Sequence, residues 1–244
     1  MRPLSSAELL DAWEQGLSEP AFRRGVALLT AACPEVSNET VAAWSIGERD
    51  SRLLTLREWT FGSQLLSVAN CSACGERLEW AVKASDLYYG GQDKPPAEFS
   101  LEFERYRVSF RLPNSADLAI IAECDDVAAA RSILLQRCVM TVQSGDQEMN
   151  TENLPDEVAN AIAKQMAAVD PQGDVRIDLL CLCCGYRWQA LFDIESFFWS
   201  EINAWAGRML GEVHVLASAY GWREQDILNL SPQRRHFYLG LVGG

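Results

Sequence analysis

The sequence predicts an α+β fold: a small β element split in two by a long, mainly helical insertion and flanked by helices at both ends. Three observations predict it. Cys71-Ser72-Ala73-Cys74-Gly75 and Cys181-Leu182-Cys183-Cys184-Gly185 repeat one Cys-x-x-Cys-Gly pattern 110 residues apart. Each copy runs into period-two alternation, the mark of a half-buried strand. Leu78, Trp80 and Val82 follow the first copy and Trp188, Ala190 and Phe192 the second, in the same phase, with Arg77 and Arg187 also matching. Towards both termini, apolar residues recur at the three- and four-residue spacings of amphipathic helices.

The N-terminal region, 1–62, reads as helix. Leu9, Leu10, Trp13 and Leu17 form a stripe behind Ser5 or Ser6 as cap, and Phe22, Val26, Leu29 and Cys33 continue it until Pro34 stops it. Ser37 caps a second helix. From Asp50, the segment Arg52 to Trp59 predicts a third that ends near Gly62 and delivers the chain to the first cysteine pair. The split β element spans 63–192. Within it, Leu101 to Phe110 alternates with one change of exposed face, which predicts a strand ended by Pro113. Helices are then expected over about 115–124, 126–139 and 155–169, Pro155 suiting a first turn, so that about 113–170 is a helical insertion. Val175, Ile177 and Leu179 alternate on the way into the second cysteine pair, so the chain enters on a strand, turns, and leaves on another.

The remainder, 193–244, opens with Asp193 as cap. Phe198, Ile202, Trp205, Met209, Val213, Leu216 and Tyr220 lie on one stripe that Gly221 ends. That stripe buries one face along its whole length, against either the protein's own helices or a partner. A short helix from Trp222 to Leu230 follows, and Ser231-Pro232 opens another over Gln233 to Leu241.

The cysteine pattern carries the chemistry. A Cys-x-x-Cys turn puts two thiolates on one side of a tight bend, and the following glycine relieves the backbone where it curls past a metal. Two such knuckles complete a tetrahedral shell, so one structural zinc on Cys71, Cys74, Cys181 and Cys184 is the reading of the motif. Cys183 is a spare sulfur; Cys181 with Cys184 reproduces the spacing and trailing glycine of the first copy. A redox dithiol would sit at a helix N-terminus, whereas strands follow both motifs. A disulfide scaffold would carry denser cysteine than eight in 244 residues and a secretory leader, which the N-terminus does not resemble. Catalytic zinc keeps a position open and recruits His or carboxylate. Cys33, Cys124 and Cys138 lie among apolar helical residues and read as buried small hydrophobes.

Composition bounds the function. At 48% hydrophobic and 23% charged the chain is an ordinary globular one with no apolar run of membrane-spanning length, and a reducing bacterial cytoplasm is the expected compartment. A net charge of −13 opposes a phosphate backbone, so a zinc-ribbon nucleic-acid-binding or regulatory protein is the alternative function and nucleic acid, the usual ligand of zinc ribbons, is not the expected partner. Glycine-rich phosphate loops, nucleophile elbows and His-Glu-x-x-His motifs are absent, and His214 and His236 read as ordinary surface or core residues, so neither an enzyme nor a small-molecule substrate is expected.

Glu48 to Leu54 running through Phe61-Gly62, the knuckle Cys71 to Gly75, and the ending Glu212 to Ala217, Tyr220 to Ile227 and Arg234-Arg235 to Tyr238-Leu239 resemble one family. It is that of the baseplate or hub-assembly proteins of contractile-tailed bacteriophages and of related extracellular contractile injection systems. The resemblance spans most of the chain; Cys183, an extra thiol in the second knuckle, departs from it. It implies a non-enzymatic part of a tail machine, built into the baseplate of a phage-tail-like particle or chaperoning its assembly, with other tail proteins as partners. The partner surface is expected on the tail after Gly221, around Trp222, Ile227, Arg234, Arg235 and Tyr238, as a docking element adding little to the stability of the rest.

Overall fold

Two helices, not one, open the chain in the computed structural model, which describes residues 1–89, 96–145, 147–151 and 154–243. Helix α1, Ser6–Gly16, is capped by Ser5 in a box with Glu8, and α2, Ala21–Ala32, starts after Pro20. The stripe expected to run unbroken to Pro34 is cut there because proline has no N–H to donate and pushes the preceding residue out of helical geometry. The turn is tight. Arg24 donates to the Gly16 carbonyl at 2.9 Å, and the Trp199 ring lies so close to Gly16 that an added Cβ would fall 2.3 Å from it. Helix α3, Asn38–Ala42, takes Ser37 as its cap, as expected.

Helix α4, Ile46–Phe61, begins four residues before Asp50, because Ser45 accepts from the Glu48 N–H and makes an earlier cap. Gly62, at φ 90°, ends it in a conformation that favours glycine. A strand then intervenes before the first knuckle: β1, Gln64–Asn70, pairs antiparallel with β2, Arg77–Lys83. The second knuckle joins β7, Arg176–Leu180, to β8, Arg187–Leu191, in the same way.

Between the hairpins lies a second α+β layer. The expected strand over 101–110 is a hairpin of β3, Phe99–Phe103, and β4, Tyr106–Phe110, with Phe103 opposite Tyr106 and Glu104 at φ 53°. The change of exposed face in the sequence is the trace of that turn. Helices α5 (Ser115–Ile121), α6 (Val127–Cys138) and α7 (Asp156–Val169) fall where expected. They are accompanied by β5, Val139–Ser144, and β6, Gln147–Glu148, which complete a sheet ordered β3-β4-β5-β6. Val108, Phe110, Val142, Val158 and Ile162 form its core, each 1% exposed or less. The Gly47 N–H donates to Asp170 at 2.9 Å and the Ile46 N–H to the Pro113 carbonyl at 3.0 Å, tying this layer to α4.

Helix α8, Ile194–Tyr220, is the axis of the main core. Asp193 caps it and Gly221, left-handed at φ 69°, closes it, as expected. Phe198, Ile202, Met209, Val213 and Leu216 are buried, Trp205 is half-buried and Tyr220 is exposed. Leu29, Leu53, Leu56, Leu65, Ala84 and Val175 pack around its first turns, so both hairpins are rooted in one hydrophobic cluster. Helices α9, Glu224–Leu228, and α10, Pro232–Val242, fold back on its far end.

Candidate metal centre

The two knuckles are built alike from backbone upward. The Cys71 N–H donates to the Glu76 carbonyl and the Gly75 N–H to the Cys71 carbonyl, both at 2.8 Å. In the second, the Cys181 N–H donates to Tyr186 and the Gly185 N–H to Cys181, both at 2.9 Å. Gly75 and Gly185 take φ of 75° and 74°, the left-handed turn that a side chain resists. The hairpins then bring their tips together. The Cys71 and Cys184 sulfurs stand 3.7 Å apart and those of Cys74 and Cys181 3.6 Å apart, although the latter are 107 residues apart in sequence. All four sulfurs lie within 4.8 Å of one another. Cys183 is exposed and outside this cluster.

That arrangement fits a metal. A tetrahedron of metal–sulfur bonds of about 2.3 Å has edges of about 3.8 Å, close to the short separations, whereas a disulfide needs about 2.05 Å. The protonation chemistry agrees. Burial raises the Cys71 thiol, but the Cys74 and Ala73 amides with the neighbouring sulfurs hold it down at about 7. Cys74, lowered by the Glu76 amide, is nevertheless pushed up to about 12, first by the Cys184 sulfur and then by desolvation. Crowded thiols cannot all ionise beside one another without a cation to take up the charge. Cys71 and Cys181 are buried, and Cys74 and Cys184 are exposed, so the shell sits at the surface end of the hairpins.

The other sequence candidates part company. Ile227 is fully buried against Val213 and Leu216. Arg235, 5% exposed, donates to Glu212 at 2.6 Å and to the Leu230 carbonyl. Both are engaged inside the chain, because short helices persist only when packed and the α8 stripe supplies the surface. Trp222 and Tyr238 are half-buried with their ring centroids 4.9 Å apart, and Arg234 is exposed. The tail after Gly221 therefore packs on the far end of α8 through Ile227 and Arg235. Cys33 and Cys138 are buried as expected, Cys124 only half so, and both histidines are exposed.

Sequence reasoning missed the buried ion pairs. Arg57, 2% exposed, makes a two-pronged bond to Glu201 at 2.7 and 2.6 Å and donates to the carbonyls of Gly62 and Gln64, pinning the start of β1 to α8. Arg49 faces Asp50 at 2.8 Å and Glu195 at 3.1 Å, and Glu195 also accepts from the Gly25 N–H. Desolvation raises the Glu195 carboxyl to about 7 and that of Asp50 to about 6 against the pull of Arg49. Arg49 and Asp50 lie in the run Glu48 to Leu54 that carries the family resemblance, whereas Glu195 falls on no motif. Only their helical phase, inward at a position where the stripe is apolar, marks these charges as buried.

Residues 23–199 match a family model described as T4 bacteriophage base plate protein, a span that includes both knuckles, the layer between them and the first turns of α8. No curated protein and no solved structure matches the chain. Among the described residues no helix is long and apolar enough to cross a membrane.

Proposed function

The chain belongs to the T4 bacteriophage base plate protein family, and from that premise we propose that it is a non-enzymatic component of a contractile-tail or injection-machine baseplate, built in or assisting assembly, stapled by one structural zinc. The family match over 23–199 carries the reading of role. The four-sulfur cluster supports the metal: thiolates are soft ligands, a complete Cys₄ shell leaves no site for substrate, and zinc in such a shell supplies folding energy rather than chemistry. Cys71 and Cys74 would hold one edge of the ion and Cys181 and Cys184 the other, closing the loop that contains the second α+β layer. Partners would be other tail proteins, and Trp222, Arg234 and Tyr238 on the tail remain outward enough to meet one. The particle, or the cytoplasm in which it is assembled, would be its location. The zinc-ribbon nucleic-acid reader is the lesser reading, since the net charge is −13.

Tagged protein isolated from cells that make the whole assembly, with mass spectrometry of the eluate and of the finished particle, tests the role. Tail proteins in the eluate are expected; nucleic acid alone would replace this reading with the alternative. Elemental analysis should return about one zinc per chain.

A further inference from the structure

From residue 63 to 84 and from 173 to 194 the two hairpins share one burial plan, each position buried, half-buried or exposed alike in both. The side chains at the tips differ in kind. Asn70, Ser72 and Glu76 of the first hairpin occupy the positions of Leu180, Leu182 and Tyr186 in the second, and all six are exposed. Leu182 is 89% exposed. The turn hydrogen bonds, the glycine and the sulfur positions are the same in both copies, so neither the knuckle nor its metal shell requires apolar residues there. Water favours the polar set. The second tip therefore keeps an apolar surface that its own fold does not use.

The arginines differ in the same way. Arg77 pairs with Glu79 at 3.0 Å. In the second hairpin the position of Glu79 is Gln189, whose amide donates to Asp178 at 3.0 Å. The Arg187 guanidinium consequently has no ion pair or hydrogen bond to any described residue. Beside it runs a groove of about 430 Å³ lined by Asp178, Leu179, Leu180, Arg187, Trp188 and Gln189, in which the Asp178 carboxylate is engaged by the Gln189 amide, and the Tyr186 ring is stacked on Trp188 at 5.8 Å. An unpaired guanidinium among exposed Leu and Tyr has the make-up of an interface anchor, and a carboxylate is the group that its planar fork holds in two-pronged fashion. In a chain of net charge −13, such a cation gives local complementarity to an acidic group that the rest of the surface repels.

We propose that the tip of the second knuckle, Leu180, Leu182, Tyr186 and Arg187, is a docking surface for a segment of another protein that presents apolar side chains around a carboxylate. The surface rests on the hairpin comparison, and on the baseplate reading only for where the partner is sought. A photoactivatable phenylalanine analogue in place of Leu182, and as control in place of Ser72, tests it in full-length protein made in cells producing the whole assembly. Illumination should join position 182, and not 72, to one stretch of one other protein that contains Asp or Glu among apolar residues. An adduct of that kind with a protein outside the tail would keep the surface and overturn the baseplate reading. No adduct from 182, equal yield from both positions, or adducts only with a second copy of this chain would overturn the surface, whether or not the protein is found in the particle. For the peptide so identified, Leu182→Ser with Tyr186→Glu, which installs the first knuckle's residues, should keep zinc and melting temperature while weakening binding. Arg187→Gln alone should weaken it about tenfold or more, the share of a charge-assisted pair; unchanged affinity in either variant would overturn the assignment.

Discussion

The two hairpins bury little and meet at four cysteines, whereas the tail after Gly221 has no cysteine and packs by burial. Each hairpin is sunk into the main core only at its root, at Leu65 and Ala84 in the first and Val175 and Ile194 in the second, all 4% exposed or less. Beyond those roots, no strand residue is more than half-buried until the cysteines. An isolated two-stranded hairpin is marginal in water, and the zinc proposed at the tips would supply what packing does not. The tail is shorter, yet Ile227 is fully buried, Arg235 nearly so, and the rings of Tyr220, Trp222 and Tyr238 meet at centroid distances of 4.7 to 6.0 Å. With the proposed zinc bound, elements at opposite ends of α8 would be held by different forces, and each should fail under a different insult.

The sharpest break in that comparison is loss of a ligand. Cys74→Ser or Cys184→Ser should leave the protein insoluble or molten, since the folding free energy of such metal sites is about 10 kcal/mol or more in apparent terms. Cys183→Ser should be mild. Elemental analysis with near-ultraviolet circular dichroism reads both outcomes, and equal damage from the Cys183 change would dissolve the four-ligand assignment. Deleting residues 222 to 244 comes next: zinc content should persist while the melting temperature drops, because the far end of the α8 stripe is uncovered. Ile227→Ala alone should cost about 2–5 kcal/mol, as large-to-small changes in a packed site do. An unchanged denaturation midpoint would return the tail to the class of detachable docking elements.

A smaller effect separates both regions from the buried charges between them. The Glu195 carboxyl, raised from 4.5 to about 7 first by desolvation, binds its proton more tightly in the folded chain than in the unfolded one. Folded stability from this group is therefore greatest at low pH and is lost as pH climbs from about 4.5 to about 7. Glu195→Gln, which stays neutral, should gain on the parent protein across that window in chemical denaturation and run parallel to it above. A constant difference between the two would mean that Arg49 keeps the carboxylate charged. The smallest expected effect is on nucleic acid: at about 0.15 M salt, fluorescence anisotropy with labelled DNA or RNA should show no binding below micromolar concentrations, since Arg77 and Arg187 are too sparse to neutralise a run of phosphates.

What was legible and what was not divides along the same line. The α8 helix could be read from cap to cap, because Asp193, a stripe at helical spacing and Gly221 are local signals, and the pairing of the two knuckles could be read because they repeat one Cys-x-x-Cys-Gly pattern in the same strand phase. The hairpin over 99–110 was misread as one strand because a two-residue turn without glycine or proline leaves only a change of face. Strands β5 and β6 went unseen for the opposite reason: Val139 to Ser144 follows directly on α6, and its partners lie on β4, outside any local window.

By itself, then, the sequence determined the element types where periodicity and capping act within a few residues, and it determined which cysteines are equivalent. Only the tertiary structure decided that Arg57 would reach Glu201 across 144 positions, that Arg235 would turn inward to Glu212, and that the Arg187 guanidinium would be left without a partner among the described residues while that of Arg77 has one. The physical reason is range. Helix caps, knuckle turns and strand alternation are set by neighbours along the chain, whereas the pairing of a buried charge depends on which side chains the packed core places within about 3 Å of it.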